Sequence, residues 1–226
     1  MPACARDETV EWRARQTLGS SSDAIYEMVA DAVRDRRISG DRLVDVGCGQ
    51  GALWPLLKDR FSTYCGVDAV RYEALPADAE FHQADLDRPD WPIASGIADL
   101  VVALETIEHL ENPWAFMRDV VRIAKPGAWV VVTTPNQLSW LSILTLIVNR
   151  RFTAFTDACY PVHKTALLES DLCRMAGECR LQDVSLHYSL RGRLPKVAWH
   201  YPRAATRLFP RALSDNLMLM GRKPLE

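Results

Sequence analysis

The sequence contains 226 residues with a formal net charge of −2, and 48% of the residues are hydrophobic while 25% are charged. These proportions are typical of a globular domain, and the length suffices for one domain with a sizeable core. A nearly neutral chain has no general attraction for nucleic acid, and no apolar run reaches the ~20 residues that a membrane-spanning helix needs. The composition therefore disfavours nucleic-acid-binding and integral membrane proteins.

The N-terminus and the cysteines indicate a cytoplasmic location. Acidic residues and arginines occupy the N-terminus, where a signal peptide would need an apolar core. The six cysteines contain no C-x-x-C pair, which favours reduced thiols over a zinc site or a disulfide framework. These cysteines are Cys4, Cys48, Cys65, Cys159, Cys173 and Cys179.

Helices and strands alternate along the chain. Apolar residues recur with helical spacing between Ile25 and Val33, and we expect residues 1–40 to form an N-terminal helical segment. The predicted strands are residues 42–46, 63–68, 80–84, 98–104, 128–134, 181–188 and 216–220. The predicted helices that follow the first are residues 52–60, 113–124 and 166–176. Such alternation predicts a mostly parallel sheet with right-handed crossovers, and the last two strands form an antiparallel edge.

An apolar run at residues 138–148 interrupts this scheme, and Arg150 and Arg151 follow it. The run could be a buried helix, a lid over a substrate, or a membrane-surface anchor with Trp140 near the lipid headgroups. We favour a small helical cap or lid that comprises residues 137–164, and keep peripheral membrane contact as an alternative.

A glycine-rich turn follows the first predicted strand. Asp45 ends the strand, and Gly47, Gly49 and Gly51 alternate after it, with Cys48 between the first two. Glycine permits a tight turn and lets a ligand approach the backbone, where we expect free N–H groups at the helix start. Dinucleotide-binding proteins space their glycines differently, as G-x-G-x-x-G.

The form D-V-G-C-G-x-G resembles the first motif of class I S-adenosylmethionine-dependent methyltransferases. That resemblance implies a Rossmann-like, doubly wound sheet of seven strands and a single methyltransferase domain over residues 1–226. It also implies that S-adenosylmethionine lies across the glycine turn. The resemblance extends over roughly residues 43–136.

Further candidate residues lie at the carboxyl ends of the next strands, where ligands of open α/β sheets bind. Asp68 follows Asp45 at close to the ~20-residue interval of a ribose-binding acid, and Ala69 comes next. Within the resemblance, Asp85 accepts the adenine amine and Leu86 packs on the ring. Leu104 and Glu105 border the methionine part of the cofactor.

An E-x-x-E-H pattern begins at Glu105. If the chain is helical there, Glu105, Glu108 and His109 share one face, close to the methyl donor. The pattern resembles ubiquinone-biosynthesis O-methyltransferases and small-RNA 2′-O-methyltransferases, where it supplies metal ligands, and His163 stands where those families place a further histidine. Two hypotheses remain open. His109 is a catalytic base with Glu108 as its partner, or Glu105, Glu108, His109 and His163 bind Mg²⁺ or another divalent cation.

The leading hypothesis is therefore methyl transfer from S-adenosylmethionine to a small molecule, at oxygen. The apolar insert and the aromatic residues Trp199 and Tyr201 around His200 favour an acceptor with an apolar, ring or lipid portion. The D/N-P-P-Y/F/W motif of DNA amino-methyltransferases is absent after the fourth strand, which disfavours a nucleic-acid acceptor. N- or C-methylation, a nicotinamide-dependent oxidoreductase and a non-catalytic cofactor-binding protein are the alternatives. Oligomeric state is not indicated.

Overall fold

A computed structural model describes residues 6–89, 91–195, 197 and 199–226, so Cys4 and Lys196 lie outside the described residues. One seven-stranded sheet forms the centre of the molecule. Its strands are β1 (Gly40–Val46), β2 (Phe61–Asp68), β3 (Glu80–Gln83), β4 (Ala98–Ala103), β5 (Ala124–Pro135), β6 (Gln182–Tyr188) and β7 (Asn216–Arg222). Their order across the sheet is β3-β2-β1-β4-β5-β7-β6.

Helices connect these strands. They are α1 (Arg6–Gln16), α2 (Asp23–Asp35), α3 (Trp54–Leu57), α4 (Pro113–Ile123), α5 (Trp140–Asn149), α6 (Glu169–Glu178) and α7 (Arg203–Leu208). Two 3₁₀ turns, Ile107–His109 and Asp157–Cys159, complete the described elements.

The sheet is buried between two apolar layers. Val29 and Val33 of α2 belong to the cluster on one face, and Phe116 and Met117 of α4 belong to the cluster on the other. The central strands are buried on both faces, which explains why β4 reads as a continuous apolar run. This doubly wound arrangement brings the carboxyl ends of β1, β2, β3, β4 and β5 to one edge of the sheet.

The predicted antiparallel edge is confirmed, with one detail that the pattern did not specify. The last strand in sequence, β7, lies between β5 and β6 and is antiparallel to both. Val131 of β5 pairs with Met220 of β7, and Ser185 of β6 pairs with the same methionine on the other side. The N-terminus of β7 therefore lies at the edge where the parallel strands end.

Several elements differ from prediction in their bounds or in their presence. The helix expected over residues 52–60 is a single turn, α3, flanked by tighter turns in which Trp54 donates to the carbonyl of Gly51 and Arg60 to that of Leu57. Strand β5 begins at Ala124, and a register shift against β4 accommodates Pro126 and Gly127. Helix α1 was not predicted as a separate element, since its polar sequence carries no apolar stripe.

The apolar run of the insert forms α5, but this helix is not buried. Ser142 is its one buried residue, whereas Ile147 is 73% exposed. The buried-helix interpretation is therefore wrong. None of the helices in the described part of the chain combines the length and apolarity of a membrane span. The five cysteines among the described residues are free thiols.

Candidate active site

A cleft of about 1110 Å³ lies at the carboxyl ends of the parallel strands. A cavity of this size accommodates a nucleoside cofactor together with a small acceptor. The cleft is lined by every predicted site residue except Gly51: Asp45, Gly47, Cys48, Gly49, Asp68, Ala69, Asp85, Leu86, Leu104, Glu105, Glu108, His109 and His163. Gly51 lies outside this lining, and a β-carbon added there would approach Leu75 and Pro76.

Both close contacts and backbone conformation require glycine at two positions of the glycine turn. Gly47 has a φ of +75°, and a β-carbon there would lie 2.1 Å from Oγ1 of Thr106. Gly49 has a φ of +50°, and a β-carbon there would lie 2.2 Å from the carbonyl oxygen of Gly19. Larger residues are thus excluded at both positions, and the turn lies directly against the floor of the cleft.

The backbone N–H groups of the glycine turn itself are hydrogen-bonded within the protein. The N–H groups of Gly47 and Cys48 donate to the carbonyl of Val67 at 2.7 and 3.3 Å. The remaining amides also have acceptors within the protein: Gly49 donates to Asp68, Gln50 to Gly19 and Gly51 to Cys48. The turn is therefore internally satisfied, and its contribution to a ligand is a closely fitting surface without side chains.

Two buried carboxyl groups lie beneath and beside the turn. Asp68 ends β2, and its Oδ2 accepts the N–H of Gly49 at 2.9 Å, while Oδ1 accepts only a long bond of 3.4 Å from Val70. Burial raises the pKa of Asp68, and these N–H groups oppose that effect. Burial also raises the pKa of Asp45 to about 7, although the Tyr64 hydroxyl donates to Oδ2 of Asp45 at 2.9 Å.

Asp85 lies after the next strand, as predicted, with one contact to each of its carboxylate oxygens. Its Oδ1 accepts the N–H of Asp87 at 3.0 Å, and its Oδ2 lies 3.1 Å from Nε of Arg88. Leu86 is buried beside it. Asp87 in turn accepts the N–H of Glu111 and pairs with Arg13 of α1 at 3.4 Å.

Glu105 is held in a fixed position by two side chains. Its backbone has a φ of +50°, a conformation that is rare for a non-glycine residue. Thr133 both accepts the N–H of Glu105 at 2.9 Å and donates its hydroxyl to Oε1 at 2.8 Å. Asn216 donates to Oε2 at 2.7 Å. Burial and the nearby Glu108 raise the pKa of Glu105 well above its ordinary value.

The unusual backbone of Glu105 separates it from the rest of the E-x-x-E-H pattern. The expected shared helical face is absent, because the 3₁₀ turn begins only at Ile107. The potential ligand atoms of Glu108, His109 and His163 lie within 4.8 Å of one another, and Glu105 is not a member of this group. Three of the four predicted metal ligands therefore converge.

Both histidines of this group have a defined tautomer. Nδ1 of His109 lies 3.0 Å from the carbonyl oxygen of Val162, and Nδ1 of His163 lies against the carbonyl oxygen of Ala154. Since a carbonyl only accepts, both Nδ1 atoms carry the hydrogen, and Nε2 is the nitrogen with a lone pair. Burial lowers the pKa of both rings, which favours their neutral forms.

Glu108 is the buried member of the group. Its side chain is 1% exposed, and one carboxyl oxygen accepts a long bond of 3.3 Å from the Thr134 hydroxyl. Burial raises the pKa of Glu108 to about 8. Its carbonyl accepts the N–H groups of Lys164 and Thr165 at 2.9 and 3.0 Å, which ties the 3₁₀ turn to the insert that carries His163.

Several cleft residues were not predicted from the sequence. Arg13 and Tyr26 come from the N-terminal helices, and Asn216 from the start of β7. Arg13 lies on a helix that was not predicted, Asn216 lies on a strand that runs antiparallel, and the helical pattern around Tyr26 did not indicate that its side chain faces the cleft. His200 lines the cleft, whereas the aromatic Trp199 lies outside the lining and is 74% exposed.

Comparison with known proteins agrees with this geometry. The sequence model of a methyltransferase domain family matches residues 22–210. The chain is 31% identical over 124 residues to the ubiquinone biosynthesis O-methyltransferase of Maricaulis maris, a match that covers 50% of this chain and 48% of that protein. It is 30% identical over 118 residues to the chloroplastic tocopherol O-methyltransferase of Arabidopsis thaliana, covering 47% of this chain and 33% of that protein.

The structural comparison gives the same fold. The crystal structure of a SAM-dependent methyltransferase from Archaeoglobus fulgidus matches with a TM-score of 0.63 at 16% identity, covering 94% of this chain and 99% of that one. The chain thus belongs to the methyltransferase domain family of class I S-adenosylmethionine-dependent methyltransferases, which confirms the family prediction. It spans only a third to about half of the length of the two curated relatives.

Proposed function

We propose that this protein transfers a methyl group from S-adenosylmethionine to an oxygen atom of a small molecule. The observation that carries the proposal is the presence, in one cleft, of a glycine turn with its two buried acids and of the group formed by Glu108, His109 and His163. The O-methyltransferase names of the curated relatives support oxygen as the acceptor atom. We further propose that the chain acts as a single methyltransferase domain in the cytoplasm.

The cofactor would lie along the strand ends. The glycine turn fits such a cofactor, because Gly47 and Gly49 place no side chains beneath it. Both glycines line the cleft, as do Cys48 and Ala69. Asp68 would accept from a ribose hydroxyl through Oδ1, the oxygen that has only a long bond at present. Asp85 and Leu86 would contact the adenine, and Leu104 and Glu105 the methionine portion. Asp45 would support the turn from beneath. When bound, the cofactor supplies a methyl carbon that is already activated by its sulfonium.

The chain's own work is then to position the acceptor and to remove its proton. Alignment of the attacking oxygen with the methyl carbon and the sulfur accelerates such transfers greatly. Nε2 of His109 is suited to accept the hydroxyl proton, because Nδ1 is fixed as a donor to the carbonyl of Val162. Glu108, which lies within 4.8 Å of His109 and His163, would stabilise the imidazolium that forms.

A divalent cation is the alternative way to activate the hydroxyl. Imidazole nitrogens and carboxylate oxygens are common ligands of divalent metals. His109 and His163 each offer a ring nitrogen and Glu108 offers a carboxylate oxygen, all within 4.8 Å of one another. Each histidine also donates its other N–H to a backbone carbonyl, as histidines that bind metals generally do. A cation held there, Mg²⁺ or a transition metal, would lower the pKa of the acceptor hydroxyl.

The decisive experiment is a methyl-transfer assay. Purified protein is incubated with S-adenosylmethionine that carries a labelled methyl group and with fractionated cell metabolites, with and without a chelator. Label in a small-molecule fraction as an alkali-stable ether supports the proposal, and loss of transfer with chelator favours the cation over the free base. Label on nitrogen or carbon contradicts O-methylation, and tight cofactor binding without any transfer favours a non-catalytic protein.

A further inference from the structure

Helix α5 presents an apolar stripe to solvent. We define the stripe as Trp140, Leu144, Ile147 and Val148, whose exposed fractions are 55%, 37%, 73% and 69%. Their spacing of i, i+4, i+7 and i+8 places all four on one side of the helix. Scattered single apolar residues are normal on protein surfaces, but a contiguous stripe of large side chains marks an interaction surface.

The stripe faces away from the cleft. Ser139 and Ser142 lie at the start of α5 on its other side, and both line the cleft and are buried. The inner side of α5 is therefore already used as a wall of the candidate active site. Among the residues that the structure describes, none covers the stripe.

A second apolar patch adjoins the stripe. Leu208 and Phe209, at the end of α7, are 72% and 58% exposed. The chain that follows them reaches the start of α5, where the N–H of Trp140 donates to the carbonyl of Ala212 at 2.7 Å. This bond joins the segment between β6 and β7, which carries the second patch, to the insert after β5, which carries the stripe.

The sequence of these segments is rich in basic residues and lacks acidic ones, unlike the rest of the chain. Residues 137–156 and 184–214 contain eight basic residues and no Asp or Glu, which leaves 19 basic against 29 acidic residues elsewhere. The side chains of Arg150, Arg203 and Arg207 are exposed and, among the residues that the structure describes, have no hydrogen-bond or ion-pair partner. Arg151, Arg193 and Arg211 of these segments pair with Asp157, Asp215 and Glu169, so the uncompensated positive charge lies on the arginines without such a partner.

We propose that the surface formed by the stripe, Leu208, Phe209 and the surrounding arginines docks onto an anionic lipid bilayer. Exposed large apolar side chains enter the interfacial region of a bilayer, and flanking arginines bind acidic headgroups. A second copy of the chain fits less well, because a twofold contact would bring the same arginines together. The inference concerns attachment alone and does not depend on the reaction proposed above.

Vesicle flotation tests the inference with the full chain. We expect the protein to float with vesicles of phosphatidylcholine mixed with phosphatidylglycerol, to stay unbound with phosphatidylcholine alone, and to dissociate at high salt. The variant Leu144→Ser/Ile147→Ser/Val148→Ser should lose binding by ~100-fold or more. The variant Arg203→Gln/Arg207→Gln should lose it by roughly 30-fold, since each arginine near an acidic surface contributes about 1 kcal/mol.

A matched control separates local from general effects. Arg37 and Arg180 are exposed and lie outside the two basic segments, so the variant Arg37→Gln/Arg180→Gln should float like the unmodified chain. Unchanged thermal stability and cofactor affinity in all variants would show that they fold. The inference is overturned if the unmodified chain does not float, or if the serine variant floats equally well. It is also overturned if the unmodified chain self-associates without binding vesicles and the serine substitutions abolish only that self-association.

Discussion

The imidazole rings of His109 and His163 lie 4.8 Å apart between centroids, although the two residues come from different segments of the chain. His109 belongs to the turn after β4, and His163 belongs to the insert after β5. The carbonyls of Val162 and Ala154 hold the two rings in this arrangement. The pairing brings two nitrogen lone pairs close to the buried carboxyl group of Glu108.

We expect His109→Ala and His163→Ala each to lower turnover by about 100-fold or more, because each removes a base or a ligand at the reacting hydroxyl. The affinity for S-adenosylmethionine should change by less than about twofold, since only the acceptor side is altered. Turnover is measured at saturating donor, and affinity by calorimetry. His82→Ala serves as the control, because His82 pairs with Glu80 on β3 and lies outside the cleft. Full turnover in His163→Ala would remove that residue from the mechanism.

Asp68→Ala should weaken the binding of S-adenosylmethionine by ~1–3 kcal/mol, because a carboxylate that accepts from a ribose hydroxyl makes a charge-assisted hydrogen bond. Calorimetry at constant pH measures the loss. Asp59→Ala, at an exposed position after α3, should leave the affinity unchanged. Since Asp68 also accepts the N–H of Gly49, thermal unfolding of the variant is measured in parallel. An unchanged dissociation constant in folded Asp68→Ala would exclude Asp68 from the cofactor site.

Gly47→Ala should destabilise the fold far more than Gly96→Ala, although both glycines have a positive φ. A β-carbon at Gly96 meets nothing within 4 Å, so only the backbone penalty of about 1 kcal/mol applies. A β-carbon at Gly47 meets Thr106 at 2.1 Å, and this overpacking adds ~1–3 kcal/mol. Urea unfolding of both variants measures the difference. Equal stabilities would mean that the turn is freer to move than its contacts indicate.

Asp45 should make the stability of the cofactor-free protein depend on pH. Its pKa in the folded protein is about 7, against 3.8 for the exposed group. Between these values the folded protein binds a proton that the unfolded chain lacks, so the free energy of unfolding decreases as the pH rises toward 7. The decrease between pH 5 and pH 8 should be roughly 3 kcal/mol.

Asp45→Asn should remove much of that dependence and raise the stability at pH 8, because the amide stays neutral and still accepts the hydrogen bond of Tyr64. Chemical unfolding at several pH values provides the test. Asp59→Asn, at an exposed site, should retain the pH profile of the unmodified chain. A profile that is identical in Asp45→Asn would show that other groups cause the dependence.

The sequence was sufficient to predict the sheet and most of the cleft, because these depend on local patterns. A buried parallel strand is a continuous apolar run, as in β4, and an acidic residue marks the carboxyl end of two of the others, Asp45 in β1 and Asp68 in β2. Once the strands are parallel, their ends meet at one edge. The convergence of Asp45, Asp68 and Asp85 therefore followed from the order of elements alone.

The remaining features depend on contacts between distant segments, which a single sequence does not display. The carbonyls of Val67 and Gly19 accept hydrogen bonds from N–H groups of the glycine turn, and the sequence alone did not predict these bonds. Glu105 left the helical face because Thr133 and Asn216 stabilise its unusual backbone. Arg13 of the polar helix α1 pairs with Asp87 beside the cleft. The sequence of α1 has no apolar periodicity that would have predicted this contact.

The position of β7 between β5 and β6 also constrains how the chain can be made. During synthesis β6 leaves the ribosome before the strand that must separate it from β5, and both then present unpaired backbone to their surroundings. A nascent chain that stalls before Asn216 would therefore carry two open strand edges, one of them along the apolar stretch that contains Val131. Such a chain is expected to need a chaperone or to aggregate until the inner strand arrives.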